Sequence, residues 1–205
     1  AVVIRLKEEE PTEFQKEYFK LPVAKDAEAG AFDEFVAKFM RRAYRREIRD
    51  AEITRMLAVS KAAAGEWVPL EMRVQVVIQA VMVSPHFLFR WELDGAPSNP
   101  KAIRRLNEYE LASRLAFFIW SSGPDDRLLD LAAKGVLRKQ LESEVQRMLA
   151  DSRAEALVEN FAGQWLQLRN LDIVRPDKNL FPVYTPELRE DMRRETELLF
   201  VDVLR

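Results

Sequence analysis

From Phe32 onward the apolar side chains return at intervals of three and four residues. Phe32, Phe35, Val36, Phe39 and Ala43 stand at i, i+3, i+4, i+7 and i+11, the period of one face of an α-helix. A chain patterned this way buries its apolar surface by packing helix on helix, so the expected fold class is all-α, a multi-helix bundle. The same period predicts a second helix opening at Asp50, with Ile53, Met56 and Leu57 inward, ending before Gly65. A third, from about Leu70 to Val83, carries a thin polar stripe of Glu71, Gln75 and Gln79 on an otherwise apolar surface. Such a helix belongs inside a bundle. Ser84-Pro85 then reads as a cap followed by proline at the first helical position, with His86 to Trp91 beginning a new turn.

Asp94 to Pro100 concentrates glycine, proline, serine and asparagine and is the best linker in the chain. It divides the bundle into two packed helical modules, residues 31–94 and 101–205, expected to meet through the Val74–Val83 helix and the Phe117–Trp120 aromatics. Residues 1–30 form an N-terminal segment of unclear structure, in which Val2, Val3, Ile4 and Leu6 suit a short strand. Beyond the linker, Asn107 and Glu110 have capping-box spacing ahead of Leu111, Leu115, Phe118 and Ile119. Gly123-Pro124-Asp125-Asp126 stops that helix and starts the next. Leu141, Val145, Met148 and Leu149 mark a further helix, and Leu157, Phe161, Trp165 and Leu168 another. Thr185-Pro186 opens a last helix with Leu188, Met192, Thr196, Leu199 and Val203 on one face. It reaches Arg205 without a Gly, Asn or Pro stop signal, so the second module is expected to continue further.

Composition narrows the function classes. Lys and Arg number 32 against 34 Asp and Glu, a net charge of −2, which lacks the positive surplus that phosphate neutralisation requires of a nucleic-acid binder. There is no cysteine, so disulfides, thiolate metal sites and covalent c-type haem attachment are excluded within these residues. Val74 to Phe89 is the longest apolar stretch, and its glutamines and Ser84-Pro85-His86 leave it short of the ~20 apolar residues of a membrane-spanning helix.

Each residue with possible chemistry also has a plain structural reading. His86 is the sole histidine, so mechanisms needing two fail, and no G-x-S-x-G elbow accompanies it. One imidazole suits an axial position on a haem or metal supplied by a neighbouring domain; the plainer reading has its nitrogens hydrogen-bonded, ordering the turn after Pro85. No metal site is expected: the acids of the last helix, Glu187, Glu190, Asp191, Glu195 and Glu197, lack the Glu-x-x-His motif of di-iron bundles. Their interleaving with Arg189, Arg193 and Arg194 describes an exposed salt-bridged face. Asp125 and Asp126 point about 100° apart on a helix and read as caps. Arg41, Arg42, Arg45, Arg46 and Arg49 form the densest basic run, either a partner surface or a solvated face paired with local acids. Phe87, Phe89, Trp91, Phe117, Phe118, Trp120, Phe161 and Trp165 have core spacing, and the alternative is a lined pocket.

Five runs carry a resemblance: FMRRAYRREIRDAEITRML, VIQAVMVSPHFLFRWE, LNEYELASRLAFFIWSSGPDDRLLDLAAKG, VQRMLADSRAEALVENFAGQWLQLRNLD and ELREDMRRETELLF. Over roughly residues 32–205 the chain resembles two adjacent helical domains of unknown function in large multidomain proteins of planctomycetes and related bacteria. Those domains commonly share a chain with c-type cytochrome domains. The resemblance implies export to the periplasm or cell surface and a redox-associated setting, with haem in a neighbouring domain and no cofactor here. It implies partners within the same chain or a cytochrome c domain, and it brings no reaction. The leading expectation is a non-catalytic structural or docking domain. One alternative is a module of an extracytoplasmic enzyme with an aromatic-lined pocket near His86, Trp91 and Trp120. The other is an assembly subunit of a membrane-associated redox complex.

Overall fold

A computed structural model describes residues 25–64, 70–90, 92, 98–99 and 103–204, and among these the chain is all-α, with no strand. The expectations for Val2 to Leu6, for most of the linker and for Trp91 lie outside the described residues. The chain divides into two compact units, residues 1–105 and 106–205.

The first unit contains α1 (Lys25–Tyr44), α2 (Asp50–Ala64), α3 (Leu70–Met82) and the single turn α4 (Pro85–Leu88). Its core joins Phe32, Phe35, Val36, Met40 and Tyr44 of α1 to Val74, Val77 and Val81 of α3, with Ile53, Met56 and Leu57 of α2 packed against them. The α1 period thus does what the sequence predicts, with Met40 and Tyr44 extending the buried stripe beside the half-buried Phe39 and Ala43. The third helix departs from its expectation. Only one face is buried, while Met72 and Met82 are about half exposed. Ser60, buried in α2, donates from Oγ to the Arg73 carbonyl at 3.3 Å, and the Arg73 guanidinium stands 4.1 Å from the Phe32 ring centroid.

The second unit contains α5 (Glu108–Trp120), α6 (Asp126–Ala133), α7 (Leu141–Ala150) and α9 (Pro186–Leu204). Between the last two lies a helix in three segments, Glu155–Leu157, a π-helical turn Val158–Ala162 and Gly163–Trp165, here called α8. Short 3-10 turns link these elements. Asn107 caps α5 as the sequence predicts: its side chain accepts from Glu110 N at 2.9 Å while Glu110 Oε2 accepts from Asn107 N at 2.8 Å. Asp125 caps α6 by accepting from Leu128 N at 2.9 Å. Gly135, with φ of 67°, ends α6 where a side chain would be strained. This lets Val136 N donate back to the Leu131 carbonyl at 3.0 Å.

Trp120 anchors this unit's core with Ala112, Ala116, Ile119, Leu128, Leu137 and Met148. Its indole N–H donates to the Met148 carbonyl at 3.0 Å, satisfying the one polar atom that burial of a tryptophan leaves over. One expectation for this unit is overturned: Phe118, Phe161 and Trp165, which helical spacing assigns to the core, are exposed. Leu188, Met192, Leu199 and Val203 of α9 are exposed as well.

Candidate functional site: an apolar corner and an aromatic row

In the first unit the chain turns sharply twice where α1 ends and where α3 passes into α4, and Arg45 ties the turns together. Its backbone is left-handed, with φ of 55°, which carries the side chain out of the helical path and inward. The guanidinium donates to the Ala43 carbonyl at 2.8 Å and, from Nη2, to the carbonyls of His86 at 2.9 Å, Phe87 at 3.3 Å and Phe89 at 2.9 Å. These are carbonyls that a one-turn helix cannot satisfy by itself. Burial, followed by the positive charge of Arg90, pushes the Arg45 guanidinium below its ordinary pKa.

His86 lies in this turn with its ring exposed and set against Tyr44, centroids 5.2 Å apart. The turn is shaped by its backbone and by Ser84, whose Oγ accepts from His86 N at 3.3 Å. Met82, Val83, Leu88 and Phe89, which flank His86 in sequence, each expose more than half their surface. They make an apolar corner at this turn, followed in sequence by the exposed Arg90.

The five arginines of the basic run have different situations. Arg41 and Arg42 are half-buried in the last turn of α1. Arg45 faces inward onto carbonyls. Arg46 forms a forked pair with Glu52, its two nitrogens 3.0 and 2.7 Å from the carboxylate oxygens. Arg49 is exposed and contacts the same carboxylate through Nε at 3.3 Å. The hydrogen bonds from Arg46, reinforced by Arg49, lower the Glu52 carboxyl to about 2.

A second charge cluster surrounds Trp120. Glu144 is fully buried, yet Arg127 Nε donates to one of its oxygens and Arg147 Nε to the other, both at 2.8 Å. Burial pushes this carboxyl up, the two arginines outweigh it, and the net shift is downward. Arg147 and Arg153 also contact Asp125, at 3.0 and 3.7 Å, and both stand over the Trp120 ring. The hydrogen bonds from Arg153 hold Asp151 at about 2. Carboxylates locked in the ionised form in this way are suited to ion pairing and poorly suited to proton transfer near neutrality. Sequence reasoning assigns Asp125 its cap but misses Glu144, whose i, i+3 spacing to Arg147 was the available signal.

The aromatic side chains separate into two populations. Trp120 is 3% exposed and belongs to its unit's core. Phe118, Phe161, Trp165 and Phe200 instead form a row at the surface of the second unit. Phe118 meets Phe161 edge-on at 5.6 Å, Trp165 stacks on Phe161 at 5.8 Å and 27°, and Phe200 lies 6.4 Å from Phe161. Among the described residues no cluster of three or more His, Cys, Asp or Glu is placed to hold a metal ion, and no helix is long and apolar enough to cross a membrane.

Neither the curated proteins nor the solved structures contain a significant match to this chain. Two family models do match. Residues 31–92 match PSD5, described as "Protein of unknown function (DUF1595)", and residues 106–205 match PSD4, described as "Protein of unknown function (DUF1592)". Two adjacent stretches of the chain are therefore similar to families of unknown function, and the described residues of both stretches are helical.

Proposed function

We propose that this chain is a non-catalytic docking piece of an exported, cytochrome-associated multidomain protein, and that it docks through the corner formed by Met82, Val83, Leu88 and Phe89. The observation that carries this reading is the exposure of apolar side chains on a turn whose carbonyls Arg45 binds. Contiguous exposed apolar side chains mark interaction surfaces, and Arg45 fixes the backbone beneath them through its bonds to three carbonyls of the same turn. A surface organised before binding loses less conformational entropy when a partner arrives. The cytochrome setting and the periplasmic or cell-surface location rest on the resemblance of the five sequence runs.

A photo-crosslinking residue at position 89 of the protein in its native host tests the docking. The expected product joins this corner to a haem-carrying domain of the same chain or of a c-type cytochrome. Crosslinking of position 188 to such a domain, with none from position 89, rejects the corner. Absorption spectra test the cofactor assignment, with a Soret band expected in the native protein and absent from the 205-residue chain purified alone. A band in the isolated chain that His86→Ala removes would make His86 a haem ligand and overturn the non-cofactor reading.

A further inference from the structure

The aromatic row belongs to the second unit, whereas the docking corner belongs to the first, and the row calls for its own explanation. Trp165 exposes 66% of its surface although it lies on a helix whose Val158, Ala162 and Gly163 are buried. One face of its ring rests on Phe161, and Phe161 is itself braced by Phe118 and Phe200. The indole is thus held from beneath and open above. Asn160 and Gln164, each one position before a ring residue, repeat the same i, i+4 spacing along the helix, and both are exposed. Asn160 is oriented by its Nδ2, which donates to Ser121 Oγ at 3.0 Å. Ser121 is in turn a left-handed residue, with φ of 51°, at the end of α5.

We propose that the Phe161–Trp165 row is a binding platform for a neutral glycan. Few ligand classes use an open aromatic face. A nucleobase brings phosphates that need a basic groove, whereas the residues that precede the two rings in sequence, Asn160 and Gln164, are uncharged. A quaternary ammonium is held where rings converge around it, whereas these two are stacked at 27° and form a flat step. A sugar ring has an apolar C–H face to lie on the indole and hydroxyls around its rim, and a carboxamide both donates to and accepts from hydroxyls. Asn160 and Gln164 supply this complement on the same helix as the rings. The π-helical turn contributes by its register, since such turns are frequent where a helix serves a function.

Calorimetric titration of the 205-residue chain with cellohexaose and with chitohexaose tests the platform. Binding of at least one is expected, weakened about tenfold or more by Trp165→Ala, a change of ~1.4 kcal/mol, and largely retained in Trp165→Phe. Because Trp165 is exposed, the alanine variant is expected to keep its fold, verified by an unchanged thermal midpoint and an unchanged near-ultraviolet signal from Trp120. Two outcomes overturn the proposal: neither oligosaccharide binding at ~10 mM, an order of magnitude above the 1 mM that ~4 kcal/mol of binding would give, or binding indifferent to Trp165→Ala. Wild-type self-association abolished by Trp165→Ala, without glycan binding, would reassign the row as a protein contact and likewise overturn it. None of these results depends on the docking corner, so the two readings stand or fall separately.

Discussion

Arg45 unites a left-handed backbone with a guanidinium bound to four carbonyls, so its removal leaves several partly buried acceptors unsatisfied at once. Hydrogen bonds to a charged group contribute ~1.5–3 kcal/mol, and Arg45→Ala is expected to destabilise the first unit by about 2 kcal/mol in urea unfolding. Arg45→Lys should recover only part of this, because an ammonium cannot reproduce the planar fork. Glu52 gives a pH signature. Its folded value of about 2 lies below the ordinary 4.5, so its contribution is complete above about pH 4.5 and is lost as the pH falls toward 2. Glu52→Gln is expected to lower stability at pH 7 and to flatten the decline of the thermal midpoint across that acid range. The Arg46–Glu52 pair is the local acid pairing that the sequence offers for this run, whereas the role of Arg45 was hidden for a physical reason. A run of arginines reveals charge and spacing, whereas the direction of each side chain depends on where the helix ends and on the sign of φ there.

Helix starts were more legible than helix faces, because a cap is a local contact between residues three apart while burial depends on distant partners. The Asn107–Glu110 box, the Asp125 cap and the Thr185-Pro186 start, where Thr185 Oγ1 accepts from Leu188 N at 3.2 Å, all occur where the sequence places them. Asn107→Ala is expected to cost about 1 kcal/mol of second-unit stability in thermal or urea melts, and Asn107→Gly only a few tenths. Faces were legible in α1, where a wide apolar stripe finds α3, and illegible in α9, where the same spacing leaves Leu199 and Val203 in solvent. The predicted helix through Leu168 is the least accurate reading. A π-turn interrupts it at Val158–Ala162, and it stops after Trp165 with Gln167 left-handed at φ of 57°. A wider turn shifts the side chains after it around the helix axis relative to the regular 3.6-residue period. Regular spacing therefore assigned Phe161 and Trp165 to the core, and the candidate glycan platform was not legible.

The two units each enclose a core drawn from their own residues, one around Phe35, Val36 and Val77 and the other around Ala116, Trp120 and Met148. Residues 106–205 expressed alone are therefore expected to unfold in a single cooperative transition while retaining the near-ultraviolet signal of Trp120, as calorimetry and circular dichroism would read. A non-cooperative melt would show that this core is incomplete by itself. The division into compact units falls between residues 105 and 106, and the PSD4 match begins at residue 106. A crossover at that point cuts through neither core, so exchange of one unit is expected to leave the other's core whole. Natural recombination is then free to pair either one with new neighbours, and chimeras joined at this seam should express where those joined inside α5 fail.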